Sequence, residues 1–246
     1  MQRIVAVTTL LILTLAEPVL ANPAPSNTDK PKLALIIDDL GYDMMPREIA
    51  ALPPEISVSV IPFTEFDTAV TLSALSQHRE VLLHLPMQSP DGTPQEPNSL
   101  TLSMTKSEMQ LRIQEALYRV PQVVAVNNHM GSLLTQHQEP MHWLMESLGS
   151  HELGFIDSRT TPSTVAQRIA KEHGLANNRR HVFLDHFPNE AFILNQLELA
   201  IQQAKKRGTA VVIAHPLPVT LETLKSMLPR LQQEVELVPI SAALRP

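Results

Sequence analysis

From residue 33 to near its end, the chain alternates short apolar runs with stretches whose apolar residues recur every three or four positions. Strand-like runs are read at 33–37, 57–61, 81–85, 123–126, 154–156, 181–184 and 209–214. Helical periodicity lies between and after them, most clearly at 68–78, 106–118, 141–148, 164–173, 190–207 and 221–231. Strands that alternate with helices bury both faces when they run parallel and the helices cover the outside. Seven such units joined by right-handed crossovers predict an α/β fold, a seven-stranded (β/α) barrel. An open doubly wound sheet is the alternative the same pattern allows. No Pro/Gly/Ser-rich linker or fixed-period repeat divides this region, so one domain over 32–246 is expected.

Ahead of it, Met1-Gln2-Arg3 leads into an apolar stretch at 4–15, too short to span a bilayer, and then into small residues around Ala21. That pattern predicts a secretory signal peptide over 1–21, followed by a Pro/Ser/Asn/Thr tether over 22–31. No later run reaches membrane-spanning length. An exported chain without cysteine must be held by its core, and the bacterial periplasm is the expected location. Arg3 and Glu17 cancel, so loss of the leader keeps the net charge of -6. Nucleic acid is therefore an unexpected partner. The short basic clusters Arg179-Arg180 and Lys205-Lys206-Arg207 read as helix-end or solvated positions.

The residues that close the apolar runs carry the chemistry. They are Asp38-Asp39, Pro62, His84, Asn127-Asn128-His129, Asp157-Ser158-Arg159, Asp185-His186 and His215-Pro216. In parallel α/β folds the C-terminal strand ends share one face, so residues from 38 to 215 can converge. Two adjacent carboxylates repel, and a cation beside one of them relieves that repulsion. His84 and His215 each close an apolar run, where an imidazole without a partner is costly. One carboxylate and two imidazoles suit a catalytic Zn²⁺ site, which activates water near neutral pH. Asp39, His84 and His129 are assigned as ligands, Asp38 as a base and His215 as an acid. Gly131 is read as letting backbone approach a ligand. Asp185 has the competing role of capping the helix that begins near Asn189, and the remaining histidines read as ordinary. The segment 86–103 lacks periodicity and is expected to be a long loop on the same face. One Trp, two Tyr and six Phe offer little for a sugar-stacking platform, and Trp143 is read as a helix packing residue.

The segments Leu35-Ile36-Ile37-Asp38-Asp39-Leu40-Gly41, His84-Leu85-Pro86-Met87, Asn127-Asn128-His129-Met130-Gly131-Ser132, Asp157-Ser158-Arg159-Thr160 and Ile213-Ala214-His215-Pro216 together resemble the divergent polysaccharide deacetylase family. The resemblance covers about 32–241 and implies a distorted seven-stranded, NodB-like barrel. It implies metal-dependent removal of acetyl groups from an N-acetylated glycan, possibly peptidoglycan. It also implies Asp38 as base, Asp39 as ligand and His215 as acid. Asn128, Asp157 and Arg159 are expected to orient ligands or hold substrate, with Arg159 alternatively pairing with Asp157. The better-studied deacetylases carry two metal histidines four residues apart, a spacing this chain lacks. A glycan-binding or scaffolding protein of the cell envelope on the same barrel is the reading from another class, and a metal phosphoesterase, which would need more positive charge at the site, is a third.

Overall fold

The computed structural model describes residues 30–90 and 95–246, so the expected leader over 1–21 and most of the tether lie outside the described residues. One sheet contains β1 (Lys32–Leu40), β2 (Ser57–Val60), β3 (Val81–Met87), β4 (Ala125–Met130), β5 (Gly154–Asp157), β6 (Asn177–Arg179), β7 (Val182–Phe183), β8 (Thr209–Ala214) and β9 (Glu236–Leu237). The helices are α1 (Arg47–Ala50), α2 (Asp67–Ser76), α3 (Lys106–Arg119), α4 (Gln138–Ser150), α5 (Ala166–Glu172), α6 (Glu190–Arg207) and α7 (Pro218–Glu234). Local chemistry fixes several of their ends. Thr105 and Glu108 form a capping box at the start of α3. Asn189 caps α6, which finishes on Lys205, Lys206 and Arg207 ahead of a left-handed Gly208.

The strand order is β6-β5-β4-β3-β2-β1-β8-β7, with β9 beside β1 and every pair parallel. The two outermost strands of this order are neighbours in the chain, separated only by Arg180 and His181. One stretch of chain thus pairs with β5 through its first half and with β8 through its second. The sheet is thereby curled into a distorted barrel whose sixth strand is broken in two. The seven predicted strands are found, the sixth of them in two pieces, and the short β9 is added beside β1. Asn177-Asn178-Arg179 escaped the sequence reading because it offers no apolar run.

Two apolar layers follow the strand parity. Leu33, Leu35, Ile37, Leu83, Leu85, Val126 and Val212 belong to the large cluster beneath the helices. Ala34, Ile36, Leu82, Ala125, Ile156, Val211 and Ile213 form a second cluster, inside the curl. Val238, Ile240 and Ala243 join that inner cluster from the C-terminal segment. The Ile240 amide donates to Ser57 Oγ, and Asn178 Nδ2 donates to the Ala243 carbonyl. The segment therefore plugs the N-terminal end of the barrel, leaving the opposite end for chemistry.

Candidate active site

Successive strand residues face opposite sides, so the inner face continues from each apolar pair to the next polar residue. Ala34 and Ile36 lead to Asp38, Leu82 to His84, Ala125 to Asn127 and His129, Ile156 to Ser158, and Val211 and Ile213 to His215. Period two alone brings these six polar side chains to one end of one cavity. Asp39 has the wrong parity. It reaches the same side because β1 slips register between Ile37 and Leu40, and because Asp39 takes a φ of 59°. Met130 and Arg159, at the ends of β4 and β5, are also left-handed, with φ of 53° and 50°. Three strand ends that line the site thus carry a left-handed residue.

Asp39 stands at the centre. Its Oδ1 lies 3.1 Å from His84 Nε2 and 2.9 Å from His129 Nδ1, and its Oδ2 lies 3.5 Å from His215 Nε2. Asp38 is buried, and the Asn127 amide nitrogen donates to both of its oxygens at 3.0 Å. The Asn127 oxygen accepts from Ser59 Oγ at 2.6 Å and lies 3.0 Å from His84 Nδ1. That oxygen only accepts, so His84 carries its proton on Nδ1 and presents Nε2 to Asp39.

The two carboxylates are driven apart. Burial raises the Asp38 pKa, assisted by the neighbouring Asp39 charge and opposed by His84. Burial works the same way on Asp39, but hydrogen bonds from His129 and His84 outweigh it and hold that carboxyl well below the usual range. For His84 burial favours the neutral ring, yet Asp38 and Asp39 together push its pKa up to about 9. His215 is raised against burial by its hydrogen bond to Asp185 and by Asp39.

Asp39, His84 and His129 each offer one ligand atom, and these atoms all lie within 4.8 Å of one another. One oxygen and two nitrogens, with His84 Nε2 turned toward Asp39 by the Asn127 bond on Nδ1, fit a divalent cation of the zinc type. From the segment after β3, Glu96 brings Oε1 to 3.9 Å from His129 Nε2. This segment folds back on its own strand, as Gln88 and Pro86 exchange backbone bonds with Leu100.

The other predicted residues are placed differently. Asn128 lines the cavity, donates to the Met130 carbonyl and accepts from the Ser158 amide, so it braces the β4 and β5 ends. Asp157 faces α5, accepting from Thr164 Oγ1, the Gln167 amide and the Arg159 amide. The alternative role of Arg159, an ion pair with Asp157, is not found, and only its backbone amide bonds that carboxylate. Asp185 does not cap α6. It accepts from the His215 amide and from Thr220 Oγ1, and its Oδ1 lies 2.8 Å from His215 Nδ1, so it orients that ring. Gly131 lies close against Met87, where a Cβ would stand 2.8 Å from Met87 Cβ.

Sequence reasoning missed Asn127 and Ser158 as inner-face residues, although parity could have found them. It also missed Arg180, which lines the cavity instead of covering a solvated face. Three of the six phenylalanines gather with a histidine: Phe183, His186, Phe187 and Phe192 form a row with ring separations of 5.8, 4.6 and 5.1 Å. Phe183 and His186 line the cavity, whose volume is about 410 Å³.

Residues 35–244 match the family model described as divergent polysaccharide deacetylase. An uncharacterized protein of Haemophilus influenzae is 39% identical over 208 residues, covering 84% of this chain and 74% of its own length. Among solved structures, an uncharacterized protein from Agrobacterium tumefaciens superposes with a TM-score of 0.83 at 21% identity, over 89% of this chain and 91% of its own. The catalytic domain of peptidoglycan N-acetylglucosamine deacetylase from Eubacterium rectale has a TM-score of 0.50 at 11% identity, over 89% and 92% of the two chains. At these identities both structures speak to the fold alone.

Proposed function

The chain belongs to the divergent polysaccharide deacetylase family, and on that premise we propose that it is an exported, metal-dependent hydrolase that removes acetyl groups from an N-acetylated glycan. One observation carries the reading. A single strand-end cavity holds a three-donor cluster, a separate buried carboxylate with a raised pKa, and a histidine braced by its own aspartate. A pure binder has use for the first of these and none for the other two.

Asp39, His84 and His129 would hold the cation, and zinc suits this donor set. When bound, such an ion polarises an acyl carbonyl and makes water more acidic. Asp38, both of whose oxygens accept from the Asn127 amide nitrogen, accepts the proton of the attacking water. Its raised pKa brings it closer to the working pH of a base. His215 sits across Asp39 from the His84–His129 pair and gives its Nε2 proton to the leaving amine. Asp185 on Nδ1 keeps that ring protonated and aimed. The row from Phe183 to Phe192 supplies flat apolar faces on which a sugar ring can lie. The signal-like residues 1–21 support action in the periplasm, where peptidoglycan is an available N-acetylated polymer.

Metal content and acetate release from N-acetylated glycans, measured together on wild type, Asp39→Ala and His84→Ala, test this function. Wild type should carry about one ion per chain, and both variants should lose it and the activity, with rates down at least a hundredfold. A wild type that binds no metal sinks the site. Metal binding without acetate release sinks the hydrolase and favours a glycan-binding protein.

A further inference from the structure

The cavity also carries two arginines that the hydrolysis proposed above does not use. Arg159 and Arg180 both line the pocket. Among the described residues neither forms an ion pair. The acid nearest in sequence, Asp157, is turned toward α5 and occupied there by Thr164 and Gln167.

Arg180 is pinned. Its Nε donates to the Ser158 carbonyl at 2.6 Å and its Nη2 to the Arg159 carbonyl at 2.8 Å, while its Cζ stands 4.8 Å over the Phe183 ring. These bonds occupy two of the five N–H groups of a guanidinium, and Nη1 bonds no described residue. Arg159 is held beside it with a φ of 50°, a strained conformation for a residue with a side chain, and its guanidinium also bonds no described residue. Burial lowers the Arg180 pKa and the Arg159 charge adds to that effect, while the Asp157 and Asp38 carboxylates oppose it without bonding the guanidinium. Two like charges, one rigid and partly desolvated, are costly to hold together unless an anion joins them. Planar, forked donors of this kind suit carboxylate and phosphate oxygens.

We propose that Arg159 and Arg180 form an anion subsite that reads a carboxylate or phosphate borne by the glycan, so that the substrate is an acidic N-acylated amino sugar. The anion would dock against Nη1 of Arg180 and the Arg159 fork, beside Phe183. The sugar bearing it would then be directed toward the aromatic row and its N-acyl group toward Asp38 and His215. This substrate class rests on the deacetylase reading, and the two stand or fall by different measurements.

Calorimetric binding to the full, zinc-loaded chain would be compared within two probe pairs. The first is a tetrasaccharide of alternating N-acetylglucosamine and N-acetylmuramic acid against its methyl ester; the second is N-acetylglucosamine 6-phosphate against N-acetylglucosamine. The charged member of at least one pair should bind about tenfold more tightly at 50 mM salt, and which pair responds tells carboxylate from phosphate. In Arg159→Gln the preference should fall to threefold or less. Absence of any charge preference, through equal binding or none, overturns the subsite. So does a preference that persists undiminished in Arg159→Gln, which would assign the anion to the metal. Acetate release from the same probes separates the two readings. A charge preference in binding without acetate release leaves the subsite standing and the hydrolase fallen, whereas release with equal efficiency from charged and neutral members does the reverse.

Discussion

Asn127 commits both ends of its amide to the site, its nitrogen to Asp38 and its oxygen to His84 and Ser59. It orients the base and selects the His84 tautomer in one stroke, so its loss should be felt through metal affinity as well as rate. Asn127→Leu removes these bonds, and the expected result is zinc affinity weaker by 10- to 100-fold, read by competition with a chromophoric chelator. At the same scale, His84 is protonated at neutral pH in the metal-free protein because its pKa is pushed up to about 9. A ligating nitrogen must first lose that proton. Zinc binding at pH 7.5 should therefore release about one proton from this ring, seen as a dependence of the calorimetric heat on buffer ionisation enthalpy. His84→Ala should remove that release.

The element that places His129 is the end of β4 and the turn that follows it. Met130 and Gly131 are both left-handed, and Gly131 lies so close to Met87 that a Cβ would sit 2.8 Å from Met87 Cβ and 3.3 Å from Thr135 Cγ2. Gly131→Ala combines a positive φ of 84° with that overlap. It should cost about 2 kcal/mol or more in chemical denaturation, and by shifting the β4 end it should weaken zinc binding about tenfold. Elements were unevenly legible in the sequence. The helix at 190–207 was read at both ends because its stop is written locally in Lys205-Lys206-Arg207-Gly208. Strands β1 and β4 run three and four residues beyond their apolar runs, through polar side chains held by partners distant in sequence, and β3 runs two residues beyond its own, through Pro86 and Met87. An apolar run marks where a strand is buried in hydrocarbon, and the strand continues wherever its neighbours still supply a ladder.

For the molecule as a whole, the break between β6 and β7 decides how the barrel is drawn together. His181, in that break, accepts the Val211 amide on Nδ1, tying the broken strand to β8. Burial, with Arg207, Arg179 and Arg245 nearby, pushes its pKa down to about 4. A histidine depressed in the fold gives its full stabilisation above its unfolded pKa of about 6.5 and loses it as the pH falls toward 4. Discounted for its partial exposure, the loss should be about 1–2 kcal/mol. His181→Asn keeps an acceptor for Val211 and does not titrate, so its unfolding free energy should vary less than that of wild type between pH 6.5 and 4. An equal slope in the two proteins would show that the acid sensitivity lies elsewhere, in the carboxylates of the site.

The alternation of apolar runs and helical periods determined the class of fold, since parallel strands under helices are the arrangement that buries both patterns. It also determined that Asp38, His84, His129 and His215 come from C-terminal strand ends, because each closes an apolar run or follows it within three residues. Tertiary structure alone decided the rest. Asp39 enters the cavity through a slip in register and a left-handed backbone, Asp157 and Asn128 turn to bracing roles, and Arg180 reaches the site from a polar strand end with no sequence signal. Periodicity reports which face a residue occupies along one strand. Which residues from different strands meet, and which charges are left without a partner, depends on the register and break points of the whole sheet.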